Sequence, residues 1–357
     1  MHTKLKELLS LALANKASDI HLMCGVVPKI RISGDLVNTP NWAKEEDGLI
    51  VEMINSLLTE EQKETLKVTK ELDFSFDAVD ARFRANAYWQ KETLACALRI
   101  ISSTIPTFEE LNLPEILKSL TKQKQGFVLI TGPTGHGKST TAACLLDQIN
   151  ANKSGHIVTI EDPVEYLLKP KKSIISQREL GGDTRDFNAA LRSCLRQDPN
   201  VVFIGEMRDL ESIQLALTIA ETGHLVFSSL HTNSASQTID RIVDVFPSSS
   251  KDQIRVQLAS VFSAIVSQRL IPAIGGGRIP AFEILLTNPA VKNIIREGKT
   301  FMLDNVIQTS ADVGMISLDS YLAKLVIEGK VAEEEAKNFV VNMLDFQSKL
   351  RKNNIVI

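Results

Sequence analysis

Apolar residues recur at helical spacing from about Thr3 to Asn15, a pattern that predicts an amphipathic opening helix. The run KIRISGDL alternates, with Gly34-Asp35 placed to turn it, so a hairpin is expected there. Helical spacing returns from about Ala43 to Leu58. The alternating runs LDFSF and ARFRANAYW and the nearly continuous apolar run LACALRII follow, which predicts an antiparallel sheet with helices packed on it. The segment SSTIPTFEELNLPEI, with Pro106 and Pro114 among polar residues, is expected to link this region to the next.

From Gly126 the rhythm changes. Four short apolar runs, FVLI, HIVTI, NVVFI and HLVFSSL, are each followed by a turn and a helical stretch, the pattern of a mostly parallel sheet flanked by helices. Ligand chemistry in such sheets gathers at the carboxyl ends of the strands. After about Ala281 the chain reads as wholly helical, with Thr287-Asn288-Pro289 starting a helix over AVKNIIREGK and Gly298 stopping it. The expected organisation is one domain over residues 1–100, a linker over 101–115 and an α/β domain over 116–357.

Composition narrows the classes. A chain of 357 residues, 44% hydrophobic and 23% charged, is ordinary for a globular protein and has room for two domains. A formal charge of -3 offers no general basic surface for nucleic acid, so proteins and a small ligand are the expected partners. Cys24, Cys96, Cys144 and Cys194 are scattered without a C-x-x-C pair, which suggests neither a zinc site nor a disulfide framework. Lys4, Lys6, Glu7 and Lys16 break up the amino-terminal apolar positions, unlike a secretory signal. Gln257, Gln268 and Arg269 interrupt the most apolar long stretch, Val256 to Ile274, and argue against a membrane span. The expectation is a soluble, cytoplasmic protein with reduced thiols.

The candidate chemistry starts at ITGPTGHGKSTT. Gly132, Gly137, Lys138 and Ser139 satisfy G-x-x-x-x-G-K-[ST], with Pro133, Thr134, Gly135 and His136 at the variable positions and Thr140 following. At average composition the pattern arises by chance in about 1% of chains this long, and here a strand precedes it and a helix follows. Glycines let backbone N–H groups close around phosphates, the lysine reaches the β and γ oxygens, and the hydroxyl serves Mg²⁺. The segment NKSG at Asn152 to Gly155 lacks the aspartate that would pair with guanine, so ATP is the expected nucleotide. His136 should contribute mainly a backbone N–H, and its replacement by serine is expected to change hydrolysis by no more than about threefold.

Three more strand ends carry polar groups. NVVFIGEMRD ends in Glu206, suited to a place near the metal, although Glu206 or Asp209 could instead cap the next helix. HIVTIEDPVEY supplies Glu161, Asp162 and Glu165; Glu161 or Asp162 could orient or deprotonate a water, the plainer reading being an acidic turn stiffened by Pro163. HLVFSSLHTN puts His224 at the start of a strand and His231 at its tip, where a histidine can contact a γ-phosphate. Earlier in the chain Arg82 and Arg84, two apart, share one strand face. With Arg99 they could complete a nucleotide site from a separate domain or subunit, or form a solvated basic stripe.

Together SDIHL, RFRANAYWQ, GPTGxGKSTT, TIEDPVEY, LRSCLRQDPNVVFIGEMRD, SSLHTNSASQTIDRIVDVFP and AFEILLTNPAVKNIIREGKT make the chain resemble the secretion-type hexameric ATPases, and within them the type IV pilus retraction motors. The resemblance spans almost the whole length. It implies an α/β fold in which a PAS-like amino-terminal α+β domain joins a RecA-like P-loop domain, assembled as a homohexamer. It makes Glu161 the water-activating carboxylate with Asp162 in support, Glu206 a neighbour of Mg²⁺, His231 the γ-phosphate contact and His224 a second candidate. Arg82, Arg84 and Arg99 would complete a neighbouring active site. The implied work is withdrawal of pilin from a fibre, for twitching motility, through an inner-membrane platform protein that also provides the only membrane association. AVKNIIREGK resembles the carboxy-terminal signature of the retraction subtype. The chain departs from the family at His136, usually serine, and at QTSADVGMI; the tetracysteine insert of assembly-type relatives is missing. Competing readings are a pilus extension or secretion ATPase, a nucleic-acid motor, and a scaffold that binds ATP without turning it over.

Overall fold

The computed structural model describes residues 1–32, 34–40, 42, 47–101 and 104–354. These divide into two units, Met1–Thr104 with Glu165–Leu167, and Ile105–Val164 with Leu168–Ile357.

The first unit runs α1 (Thr3–Ala14), β1 (Asp19–Met23), β2 (Lys29–Ile32), β3 (Asp35–Asn38), α2 (Asp47–Asn55), α3 (Glu60–Thr69), β4 (Glu71–Ala78), β5 (Ala81–Gln90) and β6 (Thr93–Ile101). Its strands form one antiparallel sheet in the order β3-β2-β1-β6-β5-β4. Period-two alternation sends Ile20, Leu22, Phe83, Ala85 and Leu98 into a core with Leu5, Leu8 and Leu9 of α1 and Met53 of α2. The other face is polar: Arg84 pairs across to Arg99, Arg99 to Asp19, and Arg82 to Asp77. Asp35 pairs with Ile32 and so opens β3 instead of turning the hairpin. Of the helix expected over 43–58, residues 43–46 lie outside the described residues. Helix α3 has no counterpart in the sequence reading, because Leu66 is its one buried residue. It is set by a capping box between Thr59 and Gln62 instead of an apolar stripe.

The second unit absorbs the latter part of the expected linker. From Ile105 the chain belongs here, with Phe108 and Leu113 buried in its core beside α4 (Leu117–Leu120). Then come β7 (Gly126–Thr131), α5 (Lys138–Asn152), β8 (His156–Glu161), β9 (Ile174–Glu179), α6 (Phe187–Cys194), β10 (Val201–Ile204), α7 (Leu210–Glu221), β11 (Leu225–Leu230), α8 (Ala235–Asp244), α9 (Lys251–Val261), β12 (Phe262–Pro272) and β13 (Arg278–Leu286). The chain ends in α10 (Pro289–Glu297), α11 (Leu303–Thr309), α12 (Leu318–Ile327), α13 (Glu333–Lys337) and α14 (Met343–Asn354). The sheet order is β13-β12-β7-β11-β10-β8-β9, parallel throughout except for β13. Two apolar clusters cover its faces, one with α6 to α11 and one with α5, α12 and the 105–120 segment.

The helical tail therefore begins at Pro289, after β13, and not near Ala281. The apolar stretch from Val256 to Ile274 is the end of α9 followed by β12. Among the described residues no helix is long and apolar enough to cross a membrane. All four cysteines are unbridged, and burial pushes the Cys96 and Cys144 thiols up to about 12 and Cys194 to about 11.

Candidate active site

Every residue of β7 is buried, and the strand delivers the chain to a loop whose glycines answer to separate constraints. At Gly132, with φ 143°, a Cβ would lie 2.2 Å from the Gln268 carbonyl oxygen. At Gly135, with φ 76°, a Cβ would meet nothing within 4 Å, so that side of the loop is open. Gly137 caps α5 in the left-handed region and supplies no side-chain cap, which leaves the first N–H groups of the helix for an anion. Lys138 is buried, and its Nζ donates to the carbonyls of Gly132 (2.8 Å) and Pro133 (3.1 Å) and lies 3.4 Å from His231 Nδ1. Ser139 and Thr140 follow on the first turn of α5.

Because β7, β11, β10 and β8 are parallel neighbours in register, their carboxyl ends share one edge of the sheet. His231, just beyond β11, lies 3.3 Å from Thr134 Oγ1, and its Nε2 is 3.0 Å from Glu206 Oε1. Arg208 donates to Glu206 (3.1 Å) and to Asp162 (3.0 Å). A continuous polar chain thus runs from Lys138 through His231, Glu206 and Arg208 to Asp162. Glu161 is on the same edge of the sheet, at the end of β8. It is 7% exposed and accepts from Thr159 Oγ1 at 2.6 Å and Gln177 Nε2 at 3.2 Å. A Cβ at Gly205 would come within 3.2 Å of Glu161 Cα, so a glycine there lets β10 pass close to the carboxylate.

The open alternatives separate. Asp209 is the cap of α7, in a capping box with Ser212, while Glu206 faces His231 and Arg208. Of the acidic pair, Glu161 is buried and Asp162 exposed. His224 sits at the amino end of β11, about 23 Å along the strand from His231. Its Nδ1 lies 3.0 Å from both Ile219 O and Thr222 Oγ1, away from the strand tips that gather the other candidates. Arg82, Arg84 and Arg99 share the polar face of the first unit's sheet, Arg82 bonded to Asp77 (3.2 Å) and Arg99 to Asp19 (2.9 Å), with Arg84 exposed.

His136 does more than the sequence implied. Its Nδ1 accepts the Leu270 N–H at 3.0 Å, and its carbonyl accepts from Gln268 Nε2 at 2.9 Å. Gln268 Oε1 in turn accepts from Thr141 Oγ1 at 2.7 Å. Gln268, Arg208 and Gln177 are the residues the sequence reading passed over. For Gln268 the signal was present, a polar side chain inside an apolar run, but it was read only as evidence against a membrane span.

A sequence profile described as type II/IV secretion system protein matches residues 1–276. The chain belongs to that family. The similar curated proteins include the type IV pilus retraction ATPase PilT of Pseudomonas aeruginosa, 46% identical over 332 residues, 93% of this chain and 96% of that protein. A twitching motility protein of Neisseria gonorrhoeae is 45% identical over 319 residues, 88% of this chain and 84% of the other. Among solved structures, the pilus retraction motor PilT with bound ADP superposes with a TM-score of 0.90 at 42% identity, covering 98% of this chain and all of that one. Membership in this secretion ATPase family, with an α/β fold shared by PilT, implies that the chain binds nucleotide.

Proposed function

We propose that this protein is an ATP-hydrolysing motor that powers type IV pilus retraction, withdrawing pilin from the fibre and supporting twitching motility. The observation that carries the chemistry is the chain of contacts from Lys138 through His231 and Glu206 to Asp162, with Glu161 buried beside it. Its basis in kinship is the likeness, over nearly full length, to proteins named for retraction and twitching.

In this reading the loop N–H groups and Lys138 hold the phosphates of ATP. The uncapped start of α5 and the open side of the loop at Gly135 fit such a ligand. The Ser139 hydroxyl and the Glu206 carboxylate are the donors suited to Mg²⁺, which would neutralise charge between the β- and γ-phosphates. Glu161 takes a proton from the attacking water, its desolvated carboxylate held by Thr159 and Gln177. His231, touching Thr134, Lys138 and Glu206, reports the γ-phosphate to the metal side of the site.

The first unit, through Thr104, is the PAS-like domain and the second, from Ile105, the RecA-like domain, in a homohexamer. Arg82, Arg84 and Arg99 then reach a neighbouring copy's nucleotide, and the exposure of Arg84 and Arg99 on a polar sheet face supports this. The ring works in the cytoplasm, at the inner-membrane face of the pilus machine, against a platform protein. A pilus extension or type II secretion ATPase is the runner-up.

Phosphate release by the purified protein tests the enzyme. Wild type should exceed both Lys138→Ala and Glu161→Gln by at least about 100-fold. Activity equal in all three would remove the motor reading.

A further inference from the structure

We propose that His136 is a positioning residue whose neutral imidazole pins the phosphate loop to β12 through Nδ1, and that protonating it loosens the loop and weakens nucleotide binding. The inference rests on the nucleotide site described above and assigns it a pH-sensitive part.

Three contacts join two consecutive loop residues to the β12–β13 hairpin. Leu270 N–H donates to His136 Nδ1 at 3.0 Å, Gln268 Nε2 to the His136 carbonyl at 2.9 Å, and Arg278 Nη1 reaches the Gly135 carbonyl at 3.4 Å. With these outer carbonyls turned to the hairpin, the loop's N–H groups remain for phosphate. Gln268 and Arg278 act on backbone oxygens, which any residue at 136 would offer. The Leu270 bond needs this side chain.

Accepting at Nδ1 requires the tautomer with its proton on Nε2. An imidazolium would set an N–H against the Leu270 N–H, donor against donor. Burial disfavours the charged form, and the charged groups facing the ring among the described residues, Arg278 on β13, Arg269 on β12 and Lys138 on α5, are all cations. Both causes hold the His136 pKa below its usual 6.5, so the pin is intact at neutral pH and is lost as the pH falls below that value. Serine cannot replace it, since its hydroxyl stops well short of the Nδ1 position.

The test measures the affinity of the full-length protein for a fluorescent ADP analogue from pH 5.5 to 8.5, for wild type, His136→Ser and His136→Asn. The Asn Oδ1 takes the place of Nδ1 and does not titrate. At pH 7.5 His136→Ser should bind about five- to tenfold more weakly, and His136→Asn should recover most of that loss. As the pH falls below 6.5 wild type should lose affinity relative to His136→Asn, the ligand's own ionisation being common to both. The inference is overturned if His136→Asn is as weak as His136→Ser, if the two pH profiles run parallel, or if wild type gains on His136→Asn as the pH falls. Failure of all three proteins to bind at any pH would instead overturn the nucleotide reading itself.

Discussion

Glu161 and Asp162 are adjacent, yet their surroundings give them different work. Glu161 is buried against Thr159 and Gln177, whereas Asp162 is exposed and tied to Arg208. Substituting the first as Glu161→Gln should lower hydrolysis by about 10² to 10⁴ while nucleotide binding persists. Asp162→Asn, which breaks a solvent-screened pair, should cost less than about tenfold. Phosphate release and nucleotide titration on both variants check the contrast. A second residue gives a pH prediction. Burial raises the pKa of Glu283 to about 7, opposed by its hydrogen bond from the Ala235 N–H, and the nearby Asp304 adds to the rise. A carboxyl with a raised folded-state pKa binds its proton more tightly in the fold. Its stabilisation is complete below about 4.5 and is lost as the pH rises through about 7. Glu283→Gln should therefore flatten the melting temperature between pH 5 and 8 and raise it at pH 8; an unchanged slope would contradict this. Sequence placed Glu161, Glu206 and His231 at strand tips, because each ends an apolar run. It left Glu161 and Asp162 unresolved, since burial there depends on Gln177, which arrives from an edge strand sixteen residues later. It placed His224 at the start of β11 and His231 at its tip, and kept His224 only as a second candidate.

At the scale of elements, the phosphate loop is held by close approach to β12. Gly132→Ala would drive a Cβ into the Gln268 carbonyl, 2.2 Å away and part of a central strand, so a loss of about 3 kcal/mol or more is expected. Gly135→Ala has open space and only its φ of 76° to contend with, so about 1 kcal/mol is expected. Chemical denaturation of the two variants tests that order. Strands β7, β8, β10 and β11 were legible because each is a short apolar run closed by a turn. Strands β12 and β13 were not, the latter being read as helix from Ala281 on. β12 is covered on both faces and shows no alternation, so its apolar run reads equally as strand or helix until β7 and β13 are seen to flank it. Helix α3 was missed for the opposite reason, having almost no buried face to give a period.

For the whole molecule, the two units carry complementary chemistry: a phosphate loop with acidic and histidine tips in one, an arginine-bearing sheet face in the other. In the proposed ring each site is finished by the next copy, so Arg84→Ala should lower hydrolysis strongly in the assembled protein while leaving the melting temperature within about 1 °C, because Arg84 is exposed. Equal losses of stability and activity would point to a structural role for the face. Purpose is the central claim, and the phenotype of a deletion strain in a piliated host tests it most directly. The account predicts surplus surface pili and loss of twitching, restored by the wild-type gene and not by Glu161→Gln. Pili that still retract, or a strain with no pili at all, would contradict it.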